Sequence, residues 1–588
     1  MTPNPKVNEL TRVRIWYALL ILITVAIVVR LFFLQVIRYD YYSKAALSKQ
    51  LKQYEIPADR GHILAHDGRS TTSLVLNETK YTVFADPKFI TNPKDAARDV
   101  QRIIGGDAGE IEKKMQSDSR YVVLAKKLDK NQKQKINDLK INGLGTREVP
   151  VRTYPQSQLA AQLLGFVDDE GIGKYGVEEA LNDELKGAPG ELKAITDAQG
   201  VPLASNKDNI IKDPKAGDSL LLTIDVGIQK RLEDILKQGL DIAKSSSGSA
   251  LIMDPNSGAV KAIANYPTYN PAEFFKVEQK DQLVFTNAAV SAPLEVGSVM
   301  KSFTAAAAID MGVVSKNTSY FDPSQFKVGD KTITNIEEDG GAAQRTVADI
   351  LQLSLNTGAT WLLMQMGGGE INEQARTRWH DYLTNHYQFG KLTGIEQGYE
   401  APGVVPHPTE GFGLNIQFAN TAFGQGMTNT PLQLGAALSS IINGGKYYKP
   451  HLVEKRIKND GTEIITEKKV VREKVVSDQV SSDMRDLMEN VISKNYLVYG
   501  MKNLRQEFRV GGKTGTAEVP KPGGGYYDDR FNGTFIGYVG GDTPEYVIIV
   551  RVNEPKIDGY AGARAAAPIF VNLTNMLIDS FGVTPKSQ

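Results

Sequence analysis

The sequence predicts an α+β protein: an N-terminal membrane helix, a mixed α/β segment, and a C-terminal domain in which an antiparallel sheet packs against a helical region. Three observations predict it. One long apolar run stands near the N-terminus; β-type and helical segments alternate without a repeat up to residue 215; and strand-like hairpins stand at both ends of the remaining chain, with helical periodicity between them. At 588 residues the chain is too long for one ordinary core. Its 68 Lys and Arg balance 68 Asp and Glu, which removes the usual electrostatic case for nucleic acid. The absence of cysteine excludes disulfides, thiol nucleophiles and Cys-based metal sites.

Ile15 to Val29, IWYALLILITVAIVV, carries no charge and continues through Arg30 into LFFLQVI. Counted to Ile37 it is about 23 residues, enough to span a bilayer with some tilt. Lys6, Arg12 and Arg14 precede the run and no small-residue cleavage pattern closely follows it, so it reads as an uncleaved anchor. Residues 1–14 are then a cytoplasmic tail, 15–37 the anchor, and everything beyond Ile37 lies outside the cell membrane, although Arg30 and Arg38 weaken the charge asymmetry. Arg30 has two readings: snorkelling toward the outer interface, or, with Gln35, a polar contact to a partner membrane helix.

Residues 38–215 mix short β-type segments such as YTVFAD with charged helical stretches such as KNQKQKINDLK, whose charges read as solvated faces. No catalytic constellation stands there. A polar stretch, SNKDNIIKDPKAGD, reads as a linker ending near Asp218, and a second domain occupies 216–588. In it SLLLTI is a strand, and Ile228, Leu232, Ile235, Leu236 and Leu240 line one face of a helix. GSALIMD, the turn PNSG and AVKAIAN form one hairpin; GTFIGYVGG and EYVIIVRVN, separated by DTP, form another.

The chemistry-bearing residues lie in this second domain. In EVGSVMKSFTAAAAID, Lys301 follows Ser298 by three positions, so that on a helix the amine reaches the hydroxyl. A serine is a poor nucleophile until a base takes its proton, and burial beside positive charge favours the neutral lysine that can do so. The spacing alone is common: Ser324 and Lys327 repeat it in SQFK, after Asp-Pro in a loop that leads into no helix. LQLSLNTGATWLLM sets Ser354 and Asn356 between apolar segments, where polar side chains without partners are costly. RVGGKTGTAEV puts Lys513, Thr514, Gly515 and Thr516 on a strand whose glycines allow another backbone to approach. A peptide can add along that strand with its carboxylate drawn to Lys513. Singly, the three are explained by a helix N-cap, a capped helix end and a glycine bulge; their occurrence together in this order is not. Metal catalysis has little support. His380 and His386 fall one residue short of a two-turn helical repeat and read as surface or capping residues, while His62 and His66 fall in a loop.

The ordered set Ser-x-x-Lys, Ser-x-Asn, Lys-Thr-Gly resembles that of the penicillin-binding proteins and serine β-lactamases. FGQGMTNTPLQLGAALSSIINGG is similar to the stretch between the second and third motifs of the high-molecular-weight members, and PADRGHIL, RTYPQSQLAAQLLGFV and GKYGVEEALNDELKGAPG are similar to their non-catalytic pedestal. With the single anchor, the similarity covers nearly the whole chain and points to a class B penicillin-binding protein, most closely the division-specific peptidoglycan transpeptidases. It departs at Ala65 and His66, where the family usually carries Asp and Arg, and at Val296, where proline is usual.

The resemblance implies a pedestal over 38–215, a transpeptidase domain over 216–588, no cofactor, and attack by Ser298 on the penultimate D-alanine of a peptidoglycan stem peptide. It implies Lys301 as base, Ser354 as proton relay, Asn356 holding Lys301 and the substrate amide, and Lys513 with the hydroxyls of Thr514 and Thr516 receiving the terminal carboxylate. Gly515 completes the substrate-binding strand, and the backbone N–H groups of Ser298 and Thr516 form an oxyanion hole. β-Lactams would acylate the same serine. With no glycosyltransferase domain in the sequence, polymerisation would fall to a SEDS-type glycosyltransferase partner among other division membrane proteins. Ser354-Leu355-Asn356 and Ala85-Asp86-Pro87 favour division over elongation. A β-lactamase would need a carboxylate to activate water, a β-lactam sensor further spans or an effector, and a dormant division scaffold would not need the intact motifs.

Overall fold

The computed structural model describes residues 5–42, 51–195, 210–335, 341–501 and 505–587. The chain divides into two compact units, Met1–Asp59 with Gly187–Ala216 and Arg60–Lys186 with Gly217–Gln588. In the first unit, helix Pro5–Phe32 runs into a π-helical turn, Phe33–Ile37. Its stretch Thr11–Ile37 is long and apolar enough to cross a membrane, and none of its most apolar window is buried. The Arg30 guanidinium stands 5.7 Å from the Phe33 ring centre, a cation–π contact within the same helix. The unit also holds a three-stranded antiparallel sheet of Leu51–Ile56, Gly190–Ile195 and Ile210–Lys212, with Gly190–Ile195 in the middle. Ile210–Lys212 lies within the stretch expected to be a linker, and residues 205–209 of that stretch lie outside the described residues. The polar composition misled because two isoleucines among charges suffice for a short edge strand beside an existing one.

The second unit opens on a hairpin of β1 (Ile63–Asp67) and β2 (Ser70–Ala85). The latter half of β2 is flanked by β3 (Val122–Leu128) and β4 (Leu144–Thr153). Helices Pro93–Ile104, Ala108–Met115 and Lys130–Asp138 close a small core there, burying Ala97, Val100, Met115 and Ile136 with Val83. Then come β5 (Ser219–Asp225), α1 (Val226–Ile242), β6 (Ser247–Met253), β7 (Val260–Tyr266), α2 (Met300–Asp310), α3 (Val347–Gln352), α4 (Asn356–Met366), α5 (Pro431–Ile442), β8 (Val453–Ile457), β9 (Glu463–Ile465), α6 (Asp478–Asn495), β10 (Arg509–Pro520), β11 (Tyr526–Gly540), β12 (Pro544–Asn553) and α7 (Ala567–Ser580).

β5 pairs in parallel with β1, and the sheet runs β9-β8-β5-β1-β2-β3 with β4 on the other side of β2. The expected domain break at 215/216 therefore separates strands that share one sheet. β5 is buried on both faces, Leu220, Leu222 and Ile224 on one and Leu221 and Thr223 on the other, as parallel pairing inside a sheet favours. His66 corrects the loop expectation too: it lies on β1, and its Nε2 is 2.7 Å from Glu454 Oε2 on β8. His62 is exposed just before that strand.

The second sheet, β7-β6-β12-β11-β10, is antiparallel throughout and leaves β10 as an edge. Asp225 caps α1 by accepting from Ile228 N, 3.0 Å, and the helix buries Ile228, Leu232, Leu236 and Leu240, with Ile235 half-buried. Successive residues of β6 face opposite sides: Gly248 abuts Leu240 of α1, while Leu251 and Met253 press on Gly435 of α5. Helices on both faces explain why the strand reads as the unbroken apolar run ALIM.

Arg60, in the segment PADRGHIL, is buried with Arg152 around one carboxylate, Glu178, which is 0 % exposed. Arg60 Nε donates to Glu178 Oε2 at 2.7 Å and Arg152 Nε to Oε1 at 2.9 Å, while Arg60 Nη1 reaches Asn182 Oδ1 at 3.0 Å and Arg152 Nη1 reaches Asn77 Oδ1 at 2.9 Å. Burial pulls the Arg60 guanidinium below its usual value against the opposing charge of Glu178. One anion thus holds two buried cations, and removing it leaves both uncompensated. Glu178→Gln is expected to cost about 3–5 kcal/mol, seen as a lower urea midpoint by circular dichroism, whereas Glu454→Gln at the half-exposed His66 pair should cost under about 1 kcal/mol.

Candidate active site

Ser298 sits in a single 3₁₀ turn, Gly297–Val299, that feeds α2. Gly297 has φ +62°, and a Cβ there would stand 2.3 Å from the Thr516 carbonyl oxygen. Only glycine lets the turn lie directly on the edge strand β10. From the other side Gly297 N donates to Gly424 O at 3.0 Å, so the stretch FGQG is backbone packed beneath the serine turn. Val296 is buried, 1 % exposed, so the departure from proline leaves an apolar contact in place.

Lys301, the second residue of α2, is 0 % exposed. Its Nζ donates to Ser298 Oγ at 2.9 Å, to Asn356 Oδ1 at 2.8 Å and to the Ser354 carbonyl, with Ser354 Oγ at 3.3 Å. Those acceptors converge because Ser354 and Leu355 form the break between α3 and α4. Ser354 has φ +60°, a left-handed conformation that costs a non-glycine residue about 1–2 kcal/mol. The contact from Lys301 Nζ to the Ser354 carbonyl that this turn permits offsets that cost.

Lys513 is 1 % exposed on β10, and its Nζ donates to Ser354 Oγ at 2.9 Å and to Thr514 O at 3.1 Å. One serine hydroxyl thus stands between two lysine side chains. Thr514 Oγ1 is 3.5 Å from Lys513 Nζ, and Thr516 Oγ1 accepts from Gly562 N at 3.0 Å, which leaves its own proton free to donate. A Cβ on Gly515 would meet Val296 O at 2.3 Å, so the strand is thinned where the serine turn crosses it. The structure brings together Ser298, Lys301, Ser354, Asn356 and Lys513 through direct contacts, with Thr514, Gly515 and Thr516 continuing along the edge strand. The alternative pair is apart from them: Lys327 is exposed on a strand, Gln325–Val328. His380 and His386 are tied to the carbonyls of Pro406 and Val475, 3.0 and 2.6 Å. Among the described residues no group of three His, Asp or Glu is arranged to hold a metal.

The sequence reading passed over Glu295. Its Oε1 accepts from Gly426 N at 3.0 Å and from Tyr526 OH at 2.9 Å, tying the segment before Ser298 to the FGQG loop and to β11. Its Oε2 is buried with no hydrogen-bond partner among the described residues. Burial, with a smaller push from the charge of Glu518, raises the Glu295 carboxyl above its usual range. Position next to a reactive-looking turn was the one signal for it; the partners are 131 and 231 residues away. A carboxyl raised in the folded state favours folding fully only below its unfolded value of 4.5, and stability falls as pH rises through the higher folded value. Glu295→Gln keeps an oxygen for Gly426 and Tyr526 and cannot ionise. It is expected to melt above wild type at pH 8 and to lose that margin by about pH 4, checked by thermal melts across the range.

Two family models match the chain, the penicillin binding protein transpeptidase domain over residues 248–575 and the penicillin-binding protein dimerisation domain over residues 55–222. Stage V sporulation protein D of Bacillus subtilis is 28% identical over 595 residues, covering 99% of this chain and 88% of that protein. Peptidoglycan D,D-transpeptidase FtsI of Escherichia coli is 25% identical over 569 residues, covering 95% of this chain and 90% of that one. Penicillin binding protein 3 of Mycobacterium tuberculosis, complexed with aztreonam, shares the fold at a TM-score of 0.68 and 24% identity, over 90% of this chain and 98% of that one. Since the transpeptidase match spans more than half the chain and the dimerisation match precedes it, this chain belongs to the penicillin-binding protein transpeptidase family, in its class B form.

Proposed function

We propose that the chain is a serine D,D-transpeptidase that cross-links peptidoglycan stem peptides of the division septum and is inhibited by β-lactams. One observation carries the reading: a wholly buried Lys301 amine 2.9 Å from Ser298 Oγ, at the free edge of a sheet. A donor peptide adds along β10 with its terminal carboxylate on Lys513 and the hydroxyls of Thr514 and Thr516. Ser298 Oγ attacks the penultimate D-alanine carbonyl while Lys301, whose Nζ is 2.9 Å away, takes its proton. The backbone N–H groups of Ser298 and Thr516 hold the oxyanion. The C–N bond breaks, the departing D-alanine amine receives the proton through Ser354, and an ester remains on Ser298. An amine from a neighbouring stem attacks that ester, its proton returns by the same route, and a new amide and free Ser298 result. Asn356 holds Lys301 and the substrate amide.

The septal assignment draws on the asparagine of Ser354-Leu355-Asn356 and on Ala85-Asp86-Pro87. Thr11–Ile37 would anchor the chain with its N-terminus in the cytoplasm and its remainder outside. Arg30 and Gln35 suit contact with a SEDS-type glycosyltransferase and other division membrane proteins, since polar groups in a lipid-facing span are costly.

A fluorescent penicillin is expected to label the wild-type protein covalently, and Ser298→Ala to lose the label while melting normally. Label that survives this change, or moves to Ser324, would place the nucleophile elsewhere. Lys301→Arg keeps the charge and cannot deprotonate near neutrality. Its acylation, followed by stopped-flow labelling, is expected to fall by about 10²–10⁴-fold, and a near wild-type rate would exclude Lys301 as the base.

A further inference from the structure

α4 begins at Asn356 without a cap of its own, because its N-cap residue is Leu355, whose side chain accepts nothing. The first N–H groups of a helix need acceptors from somewhere. Thr357 N finds one on another element, donating to Asn335 Oδ1 at 3.0 Å. Asn335 follows the hairpin Gln325–Val328 and Lys331–Thr334, and its Nδ2 donates to Asp322 Oδ2 at 3.3 Å. Asp322, at the end of strand Ser319–Asp322, is 1 % exposed. Its Oδ1 accepts from Ser324 N at 2.8 Å, and its Oδ2 also accepts from Thr357 Oγ1 at 2.8 Å and Tyr320 OH at 3.3 Å. Every one of these donors is neutral. A buried carboxylate met only by neutral donors is expensive, and its place beside the N-terminus of α4 supplies part of the compensation.

The same cluster fixes the amide of Asn356. Asn356 Nδ2 donates to Thr334 O at 3.1 Å, and its Oδ1 thereby faces Lys301 Nζ at 2.8 Å. Thr334 is the residue before Asn335, so the carbonyl that orients Asn356 is held by the side chain that Asp322 holds. Turned over, the amide would point its N–H₂ at the Lys301 amine. We propose that Asp322 is a positioning residue for acyl transfer, acting through Asn335 and Asn356 on Lys301; this rests on the reading of Ser298, Lys301 and Asn356 given above. Its buried charge gathers Thr357 and Asn335 on one side of α4, so that Thr334 O and Lys301 Nζ can be met by one amide in one orientation.

A cap that merely stabilised α4 would change how much protein is folded, whereas a positioning residue changes how fast folded protein reacts and does so only through Asn356. The test uses the full-length protein in detergent and reads two quantities with fluorescent penicillin: the final labelled fraction and the second-order acylation rate. Asp322→Asn, nearly identical in shape, is expected to keep the final fraction and to acylate about tenfold to a hundredfold more slowly. Asn356→Ala is slow by itself, and adding Asp322→Asn to it is expected to slow it no further. Asn335→Ala, a second variant should the first fold poorly, is expected to repeat both results. Acylation of Asp322→Asn within twofold of wild type, or rate losses that multiply in the double variant, would overturn the proposal. So would a labelled fraction in both Asp322→Asn and Asn335→Ala that falls with their folded fraction at an unchanged rate. Label persisting on Ser298→Ala overturns the functional reading and this one together; label confined to Ser298 with multiplying losses overturns this one alone.

Discussion

The burial of the Lys301 amine is the constraint around which the site is arranged. At 0 % exposure it has lost its hydration, and the acceptors that replace water come from the 3₁₀ turn before its helix, through Ser298, and from the break between α3 and α4 and the first residue of α4, through Ser354 and Asn356. That demand explains the left-handed Ser354: an ordinary helical turn there would not aim its carbonyl at the amine. It also explains why two helices that are mostly apolar begin or end in polar residues at the same place.

A second constraint is thickness. The serine turn lies on the edge strand with backbone against backbone, at Gly297 and Thr516 and at Gly515 and Val296. Side chains at those glycines would separate α2 from β10 and move Ser298 away from Lys513 and the two threonines. The five-stranded sheet, packed on both faces, fixes the strand against which the turn rests, while its edge stays open to a peptide. The pedestal is joined to this arrangement by a shared sheet: β5 and β8 belong to the same sheet as β1 and β2, so the region around Glu178 and the region around Ser298 lie within one compact unit.

Elements with a clear period were legible. The apolar face of α1 follows from residues spaced three and four apart, and the hairpins β6–β7 and β11–β12 from apolar runs broken by Pro-Asn-Ser-Gly and Asp-Thr-Pro. Where pairing decided the outcome, composition misled. Ile210–Lys212 is a strand because Gly190–Ile195 is beside it, and His66 is on a strand because β5 and β2 flank β1, a parallel and a distant pairing that no local pattern announces.

The sequence by itself determined the family, through three short motifs in order, and the candidate residues Ser298, Lys301, Ser354, Asn356 and Lys513, because each motif's residue types and spacing are local. It also determined the apolar span at the N-terminus, since length and the absence of charge suffice for that. Only the tertiary structure decided that Ser354 stands between two lysines, that Glu295 is held by Gly426 and Tyr526, and that Asn335, itself held by Asp322, caps a helix to which neither belongs. The physical reason is that a buried polar group takes its partner from whatever element packing brings within about 3 Å, and sequence separation carries no information about that distance.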